Sequence, residues 1–418
     1  MAQKRILLIG GNFYPELTGI GKYNSEMMDW LAENGDICTV VTTYPYYPDW
    51  KIKEPYHKKS YWFSREYKAT DSGLGNSIKI YRCPHFVPAN PSGLTRILSD
   101  ISFCLSCSIM MFLSLFKKKY DYVITVSPPF LTGILAVMYK KIKGAKFFYH
   151  VQDLQIDAAA DLQMIKSRIL IEFLFKIEKF IMKRANMITS ISEGMITRIR
   201  EKSPESKIQF FPNWVDVNVF YPVTEKRVLK EAYGFDVQDK IVLYSGAIGE
   251  KQGLEAILNT ANVLKNKFNL KFIICGSGPY KKKLEELKSV LKLNNVFFMP
   301  LQPANKLNEF LNMADVHLVI QKTNASDLVM PSKLTAILAV GGLAVITAPT
   351  QSSLHKIIKN NQMGILAEPE NQTALNEAIE LALNQNDGEI KNNARNYAQQ
   401  YLSINQILKR YSEDMLIS

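Results

Sequence analysis

Short apolar runs alternate with longer amphipathic stretches along the whole chain. The apolar runs occur near residues 6–9, 38–42, 78–81, 122–126, 146–150 and 187–190, and again near residues 241–244, 270–275, 296–299, 316–320 and 344–347. The stretches between them carry apolar residues at helical spacing. Strands and helices that alternate in this way are typical of doubly wound parallel sheets. The pattern therefore predicts an α/β protein with two Rossmann-like domains.

The length of 418 residues also exceeds what one ordinary core holds. Residues 211–223 form a short irregular segment with two prolines, which is the expected boundary. We expect a first domain over residues 1–210, a second over residues 211–395, and a C-terminal helix over residues 396–418 that crosses back to the first. Without a long linker, the two domains should face each other across a cleft.

The positive charge is concentrated in the first half. Residues 1–210 contain 29 lysines and arginines against 19 acidic residues, and the rest contains 22 against 20. Residues 164–184 have helical apolar spacing with basic residues interspersed, and residues 97–116 are apolar enough to suggest a membrane span before Lys117. Asp100 and several serines argue against a span. We expect a surface-dipping or buried helix there, and either an interfacial or a core helix over residues 164–184.

The strongest motif is VLYSGAIGEKQG, residues 242–253, where an apolar run ends in a glycine-rich turn before a helix. Gly246, the helix N-terminus and Lys251 together predict a diphosphate site, with an ordinary strand-to-helix turn as the alternative. CGSGP follows another run and places Gly276 and Gly278 in a second turn, for which a plain tight turn is the simpler interpretation. Residues 327–342 predict a helix with Ser332 as N-cap.

Two segments of the first half also follow strands. GGNFYPELTGIGKYNSEM carries Gly19 and Gly21 in a loop that is not GxGxxG, which disfavours a dehydrogenase and favours a loop closing on a phosphate or sugar. HVQDLQID brings together His150, Asp153 and Asp157, either as groups that bind and orient sugar hydroxyls or as a buried histidine with a capping aspartate.

The N-terminal apolar run is too short for an export signal, and the single CxxC, Cys104 and Cys107, has no second pair to complete a zinc site. We therefore expect a cytoplasmic protein with reduced, buried thiols and no metal.

In this order the motifs resemble those of bacterial GT-B glycosyltransferases of family 4, in particular those of colanic acid and capsule biosynthesis. The resemblance rests on matching segments along nearly the whole chain: FYPELTGIGKYNSEM, TYPYYPDWK, RCPHFVPANPSG, VSPPF, HVQDLQIDAA, SISEGM, FPNWVD, YSGAIGEKQGLE, GSGP, ADVHLV and VMPSKLTAILAVGG. It implies metal-independent transfer of a sugar, with retention, from a UDP- or GDP-linked donor to a saccharide on a polyprenyl diphosphate. Such an enzyme would need no cofactor and would associate peripherally with the anionic inner face of the cell membrane.

The resemblance also implies roles for residues. The catalytic set would be His150, Asp153 and Lys251; the donor and phosphate set Gly19, Gly21, Gly246, Lys251, Gly276, Gly278, Asp327, Ser332 and Lys333; and the acceptor set Glu16, Tyr46, Tyr47 and Asp157. Two positions depart from the family. Ala247 stands where an arginine is common, and Ala336 stands where many members have a ribose-binding glutamate.

Two other functions fit parts of the sequence. A nucleotide-sugar 2-epimerase would have the same fold but would need no lipid-facing surface. A non-catalytic protein that binds nucleic acid would use the basic half, although no nucleic-acid-binding motif is present and the glycine-rich turn would have no purpose. The residues do not indicate which sugar is transferred or the oligomeric state.

Overall fold

The computed structural model describes residues 3–16, 19–70, 76–161, 165, 167–322 and 331–417. These residues form two compact units. The first consists of Met1–Pro212 together with Leu408–Ser418, and the second of Asn213–Ile407.

The first unit contains an eight-stranded sheet in the order β3-β4-β2-β1-β5-β6-β7-β8. All neighbours are parallel except β3 and β4, which are antiparallel. The strands are β1 (Arg5–Ile9), β2 (Ile37–Thr43), β3 (Ser64–Ala69), β4 (Ser77–Cys83), β5 (Tyr122–Ser127), β6 (Lys146–Val151), β7 (Met187–Ser190) and β8 (Ile208–Phe210). The central strands β1 and β5 are buried on both faces, as parallel strands covered by helices must be.

Helices connect these strands. They are α1 (Gly19–Glu33), α2 (Gly93–Ser114), α3 (Thr132–Lys143), α4 (Gln155–Asp161), α5 (Arg168–Arg184) and α6 (Glu193–Lys202). Helix α2 packs against α3, and α3 packs against α5. Near the C-terminus, the ring of Tyr411 stacks on Phe211 with centroids 4.2 Å apart. The last residues of the chain therefore belong to the first unit.

The second unit contains a fully parallel six-stranded sheet in the order β11-β10-β9-β12-β13-β14. Its strands are β9 (Lys240–Ser245), β10 (Leu270–Cys275), β11 (Val296–Met299), β12 (Val316–Val319), β13 (Ala344–Thr347) and β14 (Ile365–Ala367). The chain order reverses between β9 and β12, so a ligand crevice is expected at the carboxyl ends of these two strands.

The helices of the second unit cover both faces of this sheet. They are α7 (Lys226–Ala232), α8 (Glu255–Val263), α9 (Lys281–Val290), α10 (Leu307–Met313), α11 (Ser332–Ala339), α12 (Ser353–Asn361), α13 (Gln372–Asn384) and α14 (Gly388–Tyr401). A last helix, α15 (Ile404–Ile417), begins here and ends in the first unit. Along β9, Val242 and Tyr244 join one apolar cluster, and Ile241 and Leu243 join another. The two sheets confirm the predicted Rossmann-like architecture.

Candidate functional site

The glycine-rich turn after β9 is held by the turn after β10. The Gly246 N–H donates to the Cys275 carbonyl at 2.9 Å, and the Ile248 N–H donates to the Ser277 carbonyl at 2.9 Å. Two of the N–H groups that were predicted to bind an anion therefore donate to carbonyls of the protein instead. The positive charge near the turn must come mainly from side chains and helix ends.

Gly276 and Gly278 allow these two turns to pack closely. Both have φ values that side chains rarely adopt, 154° and 155°. A Cβ on Gly276 would overlap the Gly246 carbonyl oxygen, and a Cβ on Gly278 would overlap the Ile248 carbonyl oxygen. The glycines thus shape the turn after β9, and their contact with a donor stays a prediction.

Lys333 points at the same turn from α11. Its Nζ lies 3.6 Å from the centroid of the Tyr244 ring, a cation–π geometry. The Nζ atom is buried, although the residue as a whole is half-buried, and it has no hydrogen-bond partner among the described residues. Burial lowers the pKa of Lys333 to about 7. None of the described residues therefore provides a counter-ion for this nitrogen beside the predicted phosphate site.

The start of α11 differs from the prediction. Pro331, not Ser332, is the N-cap, and it makes no side-chain capping bond. Ser332 is the first helical residue and is exposed, so its hydroxyl does not satisfy the helix amides. Uncapped N–H groups at a helix start attract anions. With Pro331 as N-cap, the N-terminus of α11 beside Lys333 is more open to an anion than it would be with a serine cap.

The side chains of two predicted donor residues lie outside the described part of the chain. Lys251 lies in a short 3₁₀ helix, Glu250–Gln252, so its backbone is placed directly after the turn, but its side chain is outside the described residues. Asp327 is outside them altogether. Their roles stay predictions.

Sequence reasoning missed a cavity of about 250 Å³ in the second unit. It lies at the carboxyl ends of β12, β13 and β14 and is lined by residues that include Gly253, Lys322, Thr347 and Glu368. The Thr347 hydroxyl accepts from the Gln321 N–H at 3.0 Å, which fixes the chain where it leaves β12. The sequence signals were the motif that ends at Gly253 and the position of the other residues at or just after the ends of strands.

In the first unit, Glu16 organises the loop after β1. One carboxylate oxygen accepts from the N–H groups of Tyr46 and Tyr47, both at 2.8 Å, and the other accepts from the Asn12 amide at 2.8 Å. A Cβ on Gly21 would lie 2.9 Å from the Glu16 Cβ, so the glycine lets α1 approach this carboxylate. Glu16 is buried and its pKa is raised by burial. These contacts show that Glu16 holds the loop, and its contact with an acceptor stays a prediction.

The predicted acceptor tyrosines sit in two different environments. Tyr46 packs edge-on against His85 and Trp50, with ring centroids 4.8 Å and 5.3 Å away. Tyr47 is exposed and lies beside Gly19, whose Cβ position is 3.7 Å from the tyrosine ring. Both nitrogens of His85 are buried without a described partner. His85 was not predicted, although it follows β4 in the RCPHF segment.

His150 is a buried residue of β6. Its Nδ1 lies 2.9 Å from the Thr189 hydroxyl, and its ring packs against Phe211 with centroids 5.1 Å apart. Burial lowers the pKa of His150 to about 3, so the imidazole is neutral at physiological pH. It can act on a ligand only as a neutral hydrogen-bonding group.

Asp157 takes part in a buried ion-pair network between helices. Lys202 Nζ bonds to Asp157 and also to Glu178 at 2.7 Å, and Arg198 approaches Asp157 at 3.8 Å. Asp157 and Glu178 are both buried. The network joins α4, α5 and α6 and gives Asp157 a structural role, and its contact with an acceptor stays a prediction. Asp153 lies two residues after β6 and is half-buried.

Helices α2, α3 and α5 expose an apolar and basic surface, which we call the helix face. Its exposed apolar residues are Leu94, Leu98, Ile101, Leu105, Ile109, Phe112, Leu113, Phe116, Met138, Ile142, Ile169, Leu170, Phe173 and Phe180. The exposed cations on these helices and in the loop after α2 include Lys117, Lys118, Lys119, Lys141, Lys176, Lys179, Lys183 and Arg184. On α5 only Glu178, Ile181 and Met182 are buried, which does not fit a core helix.

Helix α2 is apolar on two sides. Phe103, Cys107, Met110 and Met111 are buried, while Leu105 and Phe112 are exposed at 66% and 59%. By length and composition it is the one described helix that is apolar enough to cross a membrane, and 33% of its most apolar window is buried. Metal-ligand clusters of three or more His, Cys, Asp or Glu side chains are not found among the described residues.

Comparison with known proteins agrees with this architecture. The family described as Glycosyl transferases group 1 matches residues 225–401, and the Glycosyl transferase 4-like domain matches residues 18–214. The putative colanic acid biosynthesis glycosyl transferase WcaI of Escherichia coli K12 is 36% identical, over 98% of this chain and 99% of its own length.

Solved structures show the same fold at low identity. Sucrose-phosphate synthase from Thermosynechococcus elongatus superimposes with a TM-score of 0.74 at 16% identity over the full length of both chains. The Anabaena HepE structure in complex with UDP gives a TM-score of 0.71 at 12% identity, over 99% of this chain and 100% of its own. The chain therefore belongs to the group 1 glycosyltransferases, enzymes of the GT-B fold and family 4, and is not a non-catalytic binding protein.

Proposed function

We propose that this glycosyltransferase moves a sugar from a nucleoside diphosphate donor to a saccharide carried on a polyprenyl diphosphate at the inner face of the cell membrane. The product would be a repeat unit of a colanic acid, capsular or related surface polysaccharide, as the name of the WcaI relative suggests. The observation that carries the lipid-linked acceptor is the helix face, because a transferase or epimerase acting on soluble sugars needs no such surface.

The donor diphosphate would bind in the second unit, at the turn after β9 and the start of α11. Gly246 shapes the turn, and Lys251, Lys333 and the uncapped amides of α11 supply positive charge. The HepE structure contains UDP. For this chain both UDP and GDP remain candidates.

During transfer the bond from the anomeric carbon to the diphosphate breaks, and a bond to the acceptor oxygen forms on the same face of the sugar. The hydroxyl proton leaves with the diphosphate or passes to water. We propose that this occurs without a metal, with the leaving charge balanced by Lys251, Lys333 and helix amides. His150, as a neutral group, would contact the reacting sugar, and the loop held by Glu16 would close on the acceptor.

The helix face would hold the enzyme on the membrane. A lysine close to an anionic leaflet contributes about 1 kcal/mol of attraction, and apolar side chains add to this where they enter the interface. Because Phe103 and Met110 of α2 are buried, this helix would lie along the membrane surface instead of crossing it.

Two measurements test the proposal. The melting temperature of the purified chain should rise with UDP or GDP, because a ligand that binds only the folded state stabilises it. Nucleoside diphosphate release from UDP- or GDP-sugars should then depend on a polyprenyl-diphosphate-linked saccharide in vesicles. Equal turnover on the same saccharide without its lipid would overturn the lipid-linked acceptor, and an unchanged melting temperature with every nucleotide would count against the donor site.

A further inference from the structure

The side-chain nitrogen of Lys333 is buried, and none of the described residues provides a counter-ion for it. Other buried lysines of this chain have carboxylate partners: Lys230 bonds to Asp315 at 2.9 Å, and Lys68 bonds to Asp29 at 2.7 Å. Lys333 has neither a carboxylate nor a hydrogen-bond acceptor within the described part of the chain. A buried charge without a partner costs free energy, so such a group is either neutral or waits for an anion.

The position of this nitrogen indicates which anion it serves. Lys333 Nζ lies 3.4 Å from where a Cβ on Gly246 would be, so it stands directly beside the turn after β9. The nitrogen also lies over the ring of Tyr244, and the Tyr244 hydroxyl donates to the Ala247 carbonyl at 2.7 Å. The family resemblance implies an arginine at the position where this chain has Ala247. The lysine of α11 thus brings a cation to the place where that arginine is missing.

We propose that Lys333 is the cation that pairs with the donor diphosphate in place of the absent arginine at position 247, and that it takes up a proton from solvent as the nucleotide binds. The inference rests on the proposed donor site in the second unit. The nitrogen gains one N–H bond and one positive charge, and the diphosphate supplies the counter-charge.

The low pKa of the Lys333 amine supports the proton uptake. Burial alone lowers the pKa of Lys333 to about 7, and no described carboxylate or cation adds to or opposes this effect. Tyr244 is the titratable group in contact with it, and burial raises the pKa of Tyr244, so the phenol stays neutral. A bound diphosphate favours the charged lysine and raises its pKa. Binding therefore consumes protons above about pH 7 and weakens as pH rises.

Isothermal titration of UDP and of GDP into the full chain tests this. Measuring at about pH 8.5, in two buffers with different ionisation enthalpies, gives the number of protons taken up. At this pH the free diphosphate is fully ionised, so the count reports the protein. We expect about one proton per nucleotide, and an affinity that falls nearly tenfold per pH unit between about pH 8 and 9.

Two variants of Lys333 separate its charge from its protonation. Lys333→Arg keeps a permanent charge and should bind nucleotide with the proton uptake lost. Lys333→Met should lose both the uptake and at least about tenfold in affinity at neutral pH. Lys265→Met, at an exposed lysine of the same unit, should change neither.

The outcomes separate the role of Lys333 from the proposed donor site on which it depends. Nucleotide binding by the wild-type chain without proton uptake, or with uptake that persists in Lys333→Arg, overturns the role of Lys333 and leaves the donor site intact. Absence of binding by both UDP and GDP overturns the proposed donor site and this inference with it.

Discussion

Ile181 of α5 fills the space beside Gly133 of α3, where a Cβ would lie only 2.5 Å from the isoleucine Cγ2 atom. Ile181 is fully buried, whereas α5 exposes Ile169 and Phe173 at 82% and 58%. The contact between these two residues therefore fixes a mostly exposed helix to the first unit, and it fixes part of the helix face.

Gly133→Ala should destabilise the protein, because the added methyl group forces α3 and α5 apart. Overpacking of this kind costs about 1–3 kcal/mol of unfolding free energy. Urea-induced unfolding followed by circular dichroism measures the change. Gly388→Ala is the matched control, since a Cβ there meets only an ordinary contact at 3.6 Å. Equal midpoints for the two variants would mean that the Gly133 site relaxes freely.

Leu105→Ser combined with Phe112→Ser should weaken membrane binding without unfolding the protein. Both side chains are exposed, so the folded state loses little, whereas each fully buried apolar side chain contributes about 1.5–3 kcal/mol. We expect at least about a tenfold loss of co-sedimentation with vesicles that contain anionic lipid.

The control for this pair lies in the second unit. Phe268→Ser and Val290→Ser remove apolar side chains that are exposed at 95% and 76% but lie outside the helix face. Their vesicle binding should match that of the wild type. Equal losses in both double variants would show that exposed apolar area in general, not the helix face, determines binding.

The sequence was sufficient for the buried strands and for the edge strand β11, but insufficient for the other three edge strands of the two described sheets. Central strands such as β1 and β5 are continuous apolar runs because helices cover both of their faces. The strand β3 alternates exposed and half-buried residues at the sheet edge, and β8 and β14 have three residues each, so none of them produces a long apolar run. These three strands were therefore not predicted.

Site residues were predicted by type and position, but not by their contacts. Asp157 and Glu16 follow strands at the carboxyl ends of the sheet, where a site is expected. Both carboxylates nevertheless bond to other residues of the first unit. Their partners lie far apart in the sequence, such as Lys202 for Asp157, and no local pattern reveals such pairs. Lys333 is the opposite case, because only the structure reveals that its nitrogen is buried with no partner among the described residues.

Lys202→Met should lower the stability of the first unit by about 3–5 kcal/mol at neutral pH, because it leaves Glu178 buried beside Asp157 without a cation. Burial already raises the pKa of Glu178, and the Lys202 charge opposes that rise. Without the lysine the pKa of Glu178 rises further. The cost of the ionised carboxylate is then absent at low pH and grows as pH rises through this pKa, so the deficit relative to the wild type should shrink on acidification.

Chemical denaturation of both proteins at about pH 7 and about pH 5 measures this deficit. In the double variant Lys202→Met and Glu178→Gln, the buried charge is removed with its partner, and part of the stability should return. A deficit that is the same at both pH values and in the double variant would assign the loss to packing of the lysine side chain.

Because burial lowers the pKa of His150, the free energy of unfolding depends on pH in the acidic range. Its folded-state pKa is about 3, and an unfolded histidine titrates near 6.5, so the unfolded state binds more protons between these values. Unfolding free energy should fall as pH drops through this window, by up to about 1.4 kcal/mol per pH unit, and His150→Asn should remove part of that slope. Denaturation at several pH values measures the slope. A nuclear magnetic resonance titration that places the pKa of His150 near 6.5 would contradict the buried, neutral ring.

Lys251→Ala should reduce turnover by about 10²–10³-fold with little change in melting temperature. Lys251 follows the turn after β9 directly, and we propose that its charge stabilises the departing diphosphate more strongly than the bound donor. The loss should therefore appear mainly in kcat, measured as nucleoside diphosphate release on a lipid-linked acceptor. Lys265→Ala, at an exposed lysine beyond α8, should keep wild-type rates. Normal turnover in a folded Lys251→Ala variant would leave Lys333 and the α11 amides as the charges that act on the leaving group.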